Sequence, residues 1–400
     1  MTMWFLGLDG RLSKENTSSR MRVLTLTPFY PTASDDAEGC FIAEPLRELE
    51  QFGVNSCVVA VQPLHRASDG SNATAPVASW VRYPCIPGGI GLSSAGALLY
   101  ASLISKVRRL QRSQPIDVIH AHAALPCGHA AVLLSRELKI PCVVTVHGLD
   151  AFFDNQVRGY PGQWCKRVTR FVYRSAARVI CISDKVAEKV AESAGAAVNT
   201  RVIYNSVDAQ MFFPPSSDSP ANKILSVGNL IPVKGHELLL RALAAVLPKY
   251  PDISVEIIGD GAEHHRLARL ADDCMVAGKV RFLGRQSRKQ VAEAMRRCVV
   301  FALPSRYEGL GCVYLEAMST GRPVIACRGQ GIDGVIQHRS NGWLVDPDNL
   351  QELITALSAL LQNLQLRRQI GQAARRTILH SLTTTHQADQ LATLYRECVA

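Results

Sequence analysis

Residues 304–318 have the sequence PSRYEGLGCVYLEAM, and this segment gives the clearest indication of the fold class. It follows an apolar run typical of a buried strand, and its proline and glycines lead into a helix that carries Glu316. Glycines at a helix start let backbone N–H groups approach an anion, and the helix dipole favours negative charge there. Eight helical residues would separate Glu308 from Glu316 by about 12 Å, so the two carboxylates can bracket a diphosphate. On spacing alone, two ordinary glutamates beside a glycine turn are the more common interpretation.

Two earlier segments strengthen the phosphate interpretation. Residues 226–235, SVGNLIPVKG, indicate a strand, a glycine turn and then Lys234 immediately before a helix. A lysine there can neutralise a phosphate, although a helix start disfavours a cation unless an anion is bound. Residues 257–263, IIGDGAE, indicate a strand that ends in Gly-x-Gly but lack the third glycine and the downstream acid of a dinucleotide site. The second half of the chain therefore predicts a phosphate-binding edge, and only weakly a dehydrogenase.

Short β-branched runs alternate with amphipathic stretches along the chain, which is typical of parallel sheets with crossover helices. The expected strands are 21–27, 56–61, 118–120, 141–146, 177–182, 223–227, 253–258, 279–282, 299–302 and 323–326. The expected helices include 41–52, 128–137, 235–246 and 313–320. We therefore predict an α/β chain of two doubly wound, Rossmann-like domains that face each other across a ligand-binding cleft.

Composition also predicts where the domains end. Residues 205–222 are rich in Pro, Ser and Asp, and Pro214-Pro215 disfavours a helix or a central strand. We expect the C-terminal helix to pack back on the first domain. The predicted divisions are a leader over 1–20, a first domain over 21–208, a linker over 209–222, a second domain over 223–379 and this helix at about 380–400.

The overall composition narrows the function classes. Hydrophobic residues make up 47% and charged residues 20% of the 400 residues, which suits a two-domain globular enzyme. A formal net charge of +10 implies an anionic partner, but no nucleic-acid-binding module accompanies it. Twelve cysteines are scattered singly without metal-ligand spacing, so we expect reduced thiols and no metal site. We find no membrane-spanning stretch and no signal peptide, and therefore expect a cytoplasmic protein.

In their order and spacing, these segments resemble the family 4 retaining glycosyltransferases of the GT-B fold. They are similar in particular to a bacterial subgroup that assembles polysaccharides of the teichuronic-acid type. The resemblance covers nearly the whole chain from Met21, and its further motifs are 144–150 (VTVHGLD), 202–208 (VIYNSVD), 321–326 (GRPVIA) and 341–345 (NGWLV). It implies a GT-B architecture with an acceptor-side first domain and a donor-binding second domain.

The resemblance also implies roles for matching positions. Glu308 would hold hydroxyl groups of the donor sugar, Glu316 would hold the ribose, and His147 would reach the sugar near its reacting carbon. Glu308 and His147 are therefore the expected catalytic residues. Lys234 would meet the diphosphate, and Gly39 would belong to a loop that lets the phosphates approach. The expected donor-binding positions are Gly39, Asn229, Lys234, Arg306, Gly309, Leu310, Gly311 and Glu316.

The chain departs from the family pattern at two positions. Asn229 stands where the family usually has arginine, so one phosphate contact is either weakened or supplied elsewhere, by Arg306 or Arg328. A third glutamate that is common downstream is absent, and Asp333 is the acid nearest to its place.

The implied activity is retaining transfer of a hexose-type sugar from a nucleotide-diphosphate sugar to a saccharide acceptor, without a metal or another cofactor. Two alternatives stay open at this point. One is a catalytically weak GT-B-like partner subunit. The other is a nucleotide-sugar epimerase or hydrolase on the same fold.

Two basic stretches bear on the acceptor. Residues 156–183 contain no acidic residue, and four of their basic residues share one helix face: Lys166, Arg170, Arg174 and Arg178. Residues 98–112 are apolar at first and then carry Lys106, Arg108, Arg109 and Arg112. Both could rest on an anionic membrane surface, each basic group contributing about 1 kcal/mol, or both could be solvated helix faces. Our hypothesis is a lipid-linked saccharide acceptor at the inner face of the cell membrane.

Overall fold

Two parallel sheets organise the chain in the computed structural model, which describes residues 20–66, 76–86, 91–148, 159–195, 197–216 and 222–400. Nearly all of the predicted leader and part of the predicted linker lie outside these ranges. Successive residues of the first strand, Val23 and Leu24, enter different buried clusters, so this sheet is covered on both faces. Parallel sheets need such cover, which explains the continuous apolar runs in the sequence.

The first sheet has seven strands in the order β3-β2-β1-β4-β5-β6-β7. Its strands are β1 (Met21–Thr27), β2 (Val54–Pro63), β3 (Ser79–Tyr83), β4 (Val118–His122), β5 (Cys142–Val146), β6 (Arg178–Cys181) and β7 (Thr200–Val202). The helices between them are α1 (Cys40–Glu48), α2 (Leu92–Ser113), α3 (His129–Leu138), α4 (Gly159–Ser175) and α5 (Asp184–Ala194). Every pairing in this sheet is parallel.

The second sheet has six strands in the order β10-β9-β8-β11-β12-β13. Its strands are β8 (Lys223–Val227), β9 (Ser254–Ile258), β10 (Val280–Phe282), β11 (Val300–Ala302), β12 (Val324–Cys327) and β13 (Trp343–Val345). Its helices are α6 (His236–Val246), α7 (His264–Asp273), α8 (Arg288–Arg297), α9 (Cys312–Ser319), α10 (Leu350–Gln362) and α11 (Leu364–Ser381). The prediction of two doubly wound α/β units is therefore confirmed.

The last helix, α12 (Thr384–Val399), packs on the first sheet although it follows the second. Its buried Leu391 and Tyr395 share a core cluster with Val23 of β1 and Ile42 of α1. The chain therefore crosses from the first unit to the second after β7 and returns to the first unit before α12. The two crossing segments are in contact, because the Val207 N–H donates to the Leu382 carbonyl oxygen at 3.0 Å.

Three strands were not predicted: β3, β7 and β13. Each lies at an edge of its sheet, where one side of the strand has no neighbour. The strand β3 mixes exposed and buried residues, with Ser79 and Arg82 exposed, so it lacks the continuous apolar run that marks central strands. The strands β7 and β13 have only three residues each, too few for a periodic signal.

Two further expectations concern cysteines and membranes. All twelve cysteines are free thiols, and most are buried, as expected for a chain without disulfides. None of the helices in the described ranges combines the length and the hydropathy that a bilayer crossing needs.

Candidate active site

Lys234 and Glu308 meet beyond the carboxyl ends of two central strands of the second sheet. Lys234 ends a short 3-10 turn after β8, and Glu308 lies on the loop after the neighbouring strand β11. Gly235 adopts φ 70°, and a Cβ there would collide with the Pro304 carbonyl oxygen, so only glycine permits this approach of the two loops. Lys234 Nζ lies 2.5 Å from Glu308 Oε1, with side chains 19% and 11% exposed. The structure therefore brings these two predicted residues together.

The loop that carries Glu308 is held by Gln330. The Glu308 N–H donates to Gln330 Oε1 at 3.0 Å, and Gln330 Nε2 donates to the Arg306 carbonyl oxygen at 2.8 Å. The loop then enters α9, the helix predicted to face an anion. Within the described ranges, no acceptor receives the backbone N–H groups of Gly309, Leu310 and Gly311. Free N–H groups at a helix start make a ready anion-binding position.

The first unit closes over this loop. A Cβ on Gly148, which follows β5, would lie 2.9 Å from the Gly309 Cα, and a Cβ on Gly309 would lie 2.8 Å from the His147 carbonyl oxygen. Ser183, at the start of α5, donates its hydroxyl hydrogen to the Gly309 carbonyl oxygen at 2.6 Å. The carboxyl ends of the strands of both sheets therefore face each other at Gly309, as expected for a ligand site between two doubly wound domains.

Three histidines stack on the first-unit side of this contact. His120 and His122 alternate along β4 and so share one face of the sheet, with ring centroids 4.4 Å apart. The His122 ring stacks on His147 at 5.2 Å, and Phe41 of α1 packs against His147 at 5.0 Å. Burial lowers the pKa of His147 to about 3, so its ring is neutral near pH 7.

The rings of His122 and His147 are joined by a hydrogen bond. His122 Nδ1 lies 3.0 Å from His147 Nε2, and His122 Nε2 is buried without a hydrogen-bond partner among the described residues. With both rings neutral, one donates this bond and the other accepts it, so the two remaining ring nitrogens are one N–H donor and one acceptor. The contact fixes the orientation of the His147 ring.

Glu316 lies in a buried charged cluster that joins the two units. Arg288 of α8 donates to Glu316 Oε1 of α9 and to Glu44 Oε1 of α1, both at 2.6 Å. The side chains of Arg288, Glu316 and Glu44 are only 8%, 6% and 6% exposed. Burial raises the pKa of Glu44 to about 7, against the attraction of the Arg288 guanidinium. A buried arginine that sequence analysis did not single out thus sets the position of the predicted ribose ligand.

The two arginines expected to replace the missing phosphate contact are held elsewhere. Arg306 donates to Asp348 at 2.7 Å and to the Pro232 carbonyl oxygen at 2.6 Å. Arg328 donates to two carboxylates, Asp346 and Glu352, each at 2.9 Å. Within the described chain, neither guanidinium contacts Lys234 or Glu308, and the Asn229 side chain is exposed.

The remaining predicted positions have local structural roles. Gly39 starts α1 at φ 72°, and a Cβ there would lie 2.5 Å from the Phe29 backbone, so glycine is required for the loop to pack. Asp333 is exposed and accepts a hydrogen bond from the Gly329 N–H at 2.6 Å. Leu149 and Asp150, which complete the predicted histidine motif, lie outside the described residues.

A groove of about 630 Å³ lies at the ends of β1, β2 and β3 and includes Arg285 of the second unit. Its walls combine aromatic side chains with ionisable ones, among them Phe29, Trp80, Asp35, Glu38 and Arg66. Arg285 pairs with Asp35 at 3.0 Å across the two units. Burial, with a smaller contribution from the Asp35 carboxylate, raises the pKa of Glu38. Apolar faces beside carboxylates suit a polyhydroxylated ligand.

Three residues of the site escaped sequence analysis: His122, Arg288 and Gln330. The His-x-His spacing of a buried strand could have pointed to His122, because alternate strand residues share a face. No local signal marks Arg288, whose partner Glu44 is 244 residues away. In the part of the chain that the structure describes, no three His, Cys, Asp or Glu side chains are grouped as metal ligands would be.

Comparison with known proteins identifies the family. The family model described as Glycosyltransferase Family 4 matches residues 41–211, and the model described as Glycosyl transferases group 1 matches residues 207–377. The uncharacterized glycosyltransferase MJ1178 of Methanocaldococcus jannaschii is 30% identical over 268 residues, which cover 66% of this chain and 71% of that protein.

Two solved structures share the fold. Sucrose-phosphate synthase from Thermosynechococcus elongatus superposes with a TM-score of 0.79 at 21% identity, covering 94% of this chain and 99% of that one. Anabaena Alr3699/HepE, solved in complex with UDP-glucose, gives a TM-score of 0.71 at 21% identity and covers 94% of this chain and 100% of that one. These likenesses confirm the GT-B fold, and with the family matches they show that the chain belongs to the family 4-type glycosyltransferases.

Proposed function

We propose that the protein is a retaining glycosyltransferase that moves a sugar from a nucleotide-diphosphate sugar to a saccharide acceptor. The observation that carries this proposal is the 2.5 Å contact of Lys234 with Glu308, beside the amides of 309–311 that have no described acceptor. A cation and N–H donors bind a diphosphate, and a carboxylate accepts hydrogen bonds from sugar hydroxyls. The site supplies all three kinds of group within two neighbouring loops and the start of one helix.

In the proposed reaction, Lys234 and the start of α9 stabilise the negative charge that develops on the leaving diphosphate. Glu308 accepts hydrogen bonds from hydroxyl groups of the donor sugar. The acceptor hydroxyl oxygen forms a bond to the anomeric carbon on the face from which the diphosphate oxygen departs. The departing diphosphate takes the hydroxyl proton, so the anomeric configuration is retained.

His147 has a limited role in this proposal. Its pKa of about 3 leaves the ring neutral near pH 7, so it does not serve as a cationic acid. In this proposal the neutral ring carries its proton on Nδ1 and donates it in a hydrogen bond to an oxygen of the sugar. Its carbonyl oxygen faces Gly309, so the same residue also helps to close the two units around the donor.

The groove at the ends of β1, β2 and β3 is the proposed place of the acceptor. Aromatic faces pack against the C–H faces of a sugar ring, and the carboxylates of Asp35 and Glu38 accept hydrogen bonds from its hydroxyls. The pair between Arg285 and Asp35 closes the groove from the second unit. An acceptor bound here lies on the first-unit side of the donor position.

A lipid-linked acceptor receives partial support from α4. Tyr160 and Trp164 of this helix are 89% and 55% exposed, and aromatic side chains of this kind are enriched at membrane surfaces. Arg170 and Arg174 of the predicted basic face instead donate to the carbonyl oxygens of Ser193 and Ala194 at the end of α5. The proposed membrane contact is therefore the start of α4. Co-sedimentation at low salt that does not depend on anionic lipid argues for a soluble acceptor.

The central test is sugar transfer by Glu308→Ala and Glu308→Gln. A panel of UDP-, GDP- and ADP-sugars in thermal-shift assays first identifies the donor, starting with UDP-glucose because HepE was solved with it. We expect Glu308→Ala to lower transfer by about a thousandfold, as removal of a transition-state contact does in other enzymes. Glu293→Ala, an exposed glutamate of α8, is the matched control and should retain full activity.

The outcomes separate the proposal from its alternatives. Transfer by Glu308→Ala within a few-fold of the unaltered chain contradicts the role of Glu308. Turnover of the sugar nucleotide without an acceptor at the full rate indicates an epimerase or a hydrolase. Absence of thermal stabilisation by every sugar nucleotide indicates a partner subunit without a working donor site.

A further inference from the structure

A second pocket, of about 430 Å³, lies where the segment after β7 meets α11 and the turn between α9 and β12. It shares no lining residue with the groove or with the predicted donor positions. Pro214 and Pro215 form one wall, and four arginines contribute the rest of its charge: Arg322, Arg368, Arg375 and Arg376. We call it the arginine pocket.

Close backbone packing builds the arginine pocket. Gly371 lies in the middle of α11, where glycine is destabilising relative to alanine. A Cβ on Gly371 would collide with the Gly321 carbonyl oxygen, which gives this glycine a packing reason. The contact sets α11 directly against the turn that carries Arg322. The pocket is therefore a fixed feature of the fold and not a chance grouping of flexible side chains.

The charge of the arginine pocket is not balanced by its described lining residues. None of these residues is acidic, and α11 contains no Asp or Glu along its whole length. Arg322, Arg375 and Arg376 form no ion pair with a described residue. Burial is the cause that lowers the pKa of Arg375, with no carboxylate acting in the opposite direction. Several like charges around one cavity attract an anion.

Two of the arginines have structural roles that leave their charge in place. Arg375 donates to the carbonyl oxygens of Phe212 at 2.9 Å and Ser319 at 2.8 Å, and Arg322 donates to that of Arg296. Carbonyl groups satisfy these donors without neutralising the guanidinium. Arg322 Nε stays buried without an acceptor among the described residues. Arg376 is exposed and has no described partner at all.

We propose that the arginine pocket is a second anion site, which takes a phosphate monoester or a diphosphate at the place where the chain passes between the two units. Arginine forks match phosphate oxygens, and the cavity has the size of a small-ligand site. Pro214 and Pro215 lie in the segment that leads from the first unit to the second, and α11 leads into the segment that returns to the first unit. The site does not depend on the proposed transferase activity, because it shares no residue with the donor site.

The test measures binding of inorganic pyrophosphate by titration calorimetry at low salt, with every variant made in the full chain carrying Lys234→Met. Because Lys234→Met weakens pyrophosphate binding at the donor site, the binding that remains is attributed to the arginine pocket. We expect Arg368→Gln with Arg376→Gln to weaken that event by about tenfold or more. Arg269→Gln, an exposed arginine of α7, should leave it unchanged. Equal affinities for the Lys234→Met chain and the Arg368→Gln, Arg376→Gln chain overturn the proposal, as does absence of any pyrophosphate binding to the Lys234→Met chain.

Vesicle co-sedimentation then identifies the source of the phosphate. The vesicles contain phosphatidylcholine with or without phosphatidylglycerol. If the double variant loses both pyrophosphate binding and binding to the anionic vesicles, a lipid headgroup is the ligand. If it loses pyrophosphate binding alone, the ligand is a soluble phosphate compound.

Discussion

Arg288→Met should strongly destabilise the protein, because it removes the cation from a buried cluster of three charges. Arg288 donates at 2.6 Å to Glu316 and to Glu44, and none of the three side chains is more than 8% exposed. Removing one partner of a buried ion pair costs about 3–5 kcal/mol, since the remaining charge has neither a counter-ion nor water. Arg288 also lies 5.0 Å above the Phe212 ring, and because both groups are buried this contact contributes about 2 kcal/mol.

The destabilisation should depend on pH. Without Arg288, the two carboxylates lower their cost by taking up protons, so the penalty is largest above neutral pH and shrinks as the pH falls. In the unaltered chain the pKa of Glu44 is raised to about 7 by burial, above its ordinary 4.5. Its contribution to stability is therefore fully present below pH 4.5 and is lost as the pH rises through about 7.

Urea unfolding followed by tryptophan fluorescence measures this effect. Two variants serve as controls. Arg297→Met removes an exposed pair of the same helix, with Glu293 at 3.9 Å, and should cost less than about 1 kcal/mol. Arg288→Met combined with Glu44→Gln and Glu316→Gln should regain most of the lost stability, because no buried charge then remains.

Two results would refute this reasoning. One is a free energy of unfolding for Arg288→Met that lies within about 1 kcal/mol of that of the unaltered protein near neutral pH. Such a loss is well below the one expected for a buried pair. The other is a large loss that does not change with pH, because a packing defect does not titrate whereas two unpaired carboxylates do.

Three further predictions concern the site and its closure. Gly309→Ala places a Cβ 2.8 Å from the His147 carbonyl oxygen and should lower kcat/KM about a hundredfold by parting the units, whereas Gly278→Ala, in open space, should not. His122→Phe removes the hydrogen-bond partner of His147 and should lower kcat about tenfold, with partial rescue by His122→Asn. Glu44→Gln removes the carboxyl group whose pKa is about 7. As the pH rises from 5 to 8, the free energy of unfolding of this variant in urea should therefore increase by up to about 3 kcal/mol relative to that of the unaltered chain.

The convergence of Lys234 and Glu308 was predictable because of the fold class. Both follow parallel strands, and the strands of a parallel sheet end at one edge, so their following loops meet wherever the strands are neighbours. The glycines at 235 and 309 were visible in the sequence as turn residues. Their close contacts with Pro304 and with His147 were not, because a contact distance depends on how two separate loops pack.

Sequence patterns were sufficient to predict the alternation of strands and helices and the two doubly wound units, and they located the loops proposed to bind phosphate. These features depend on local periodicity and on residue types within a few positions of each other. Which charges are buried together depends on tertiary packing. Arg288 lies in a polar helix that indicates a solvated face, yet it pairs with Glu44 from the other unit. The same holds for the arginine pocket, since α11 meets the α9–β12 turn only after the second sheet has formed. Burial of a charge is a property of packing between distant segments, and no local pattern records it.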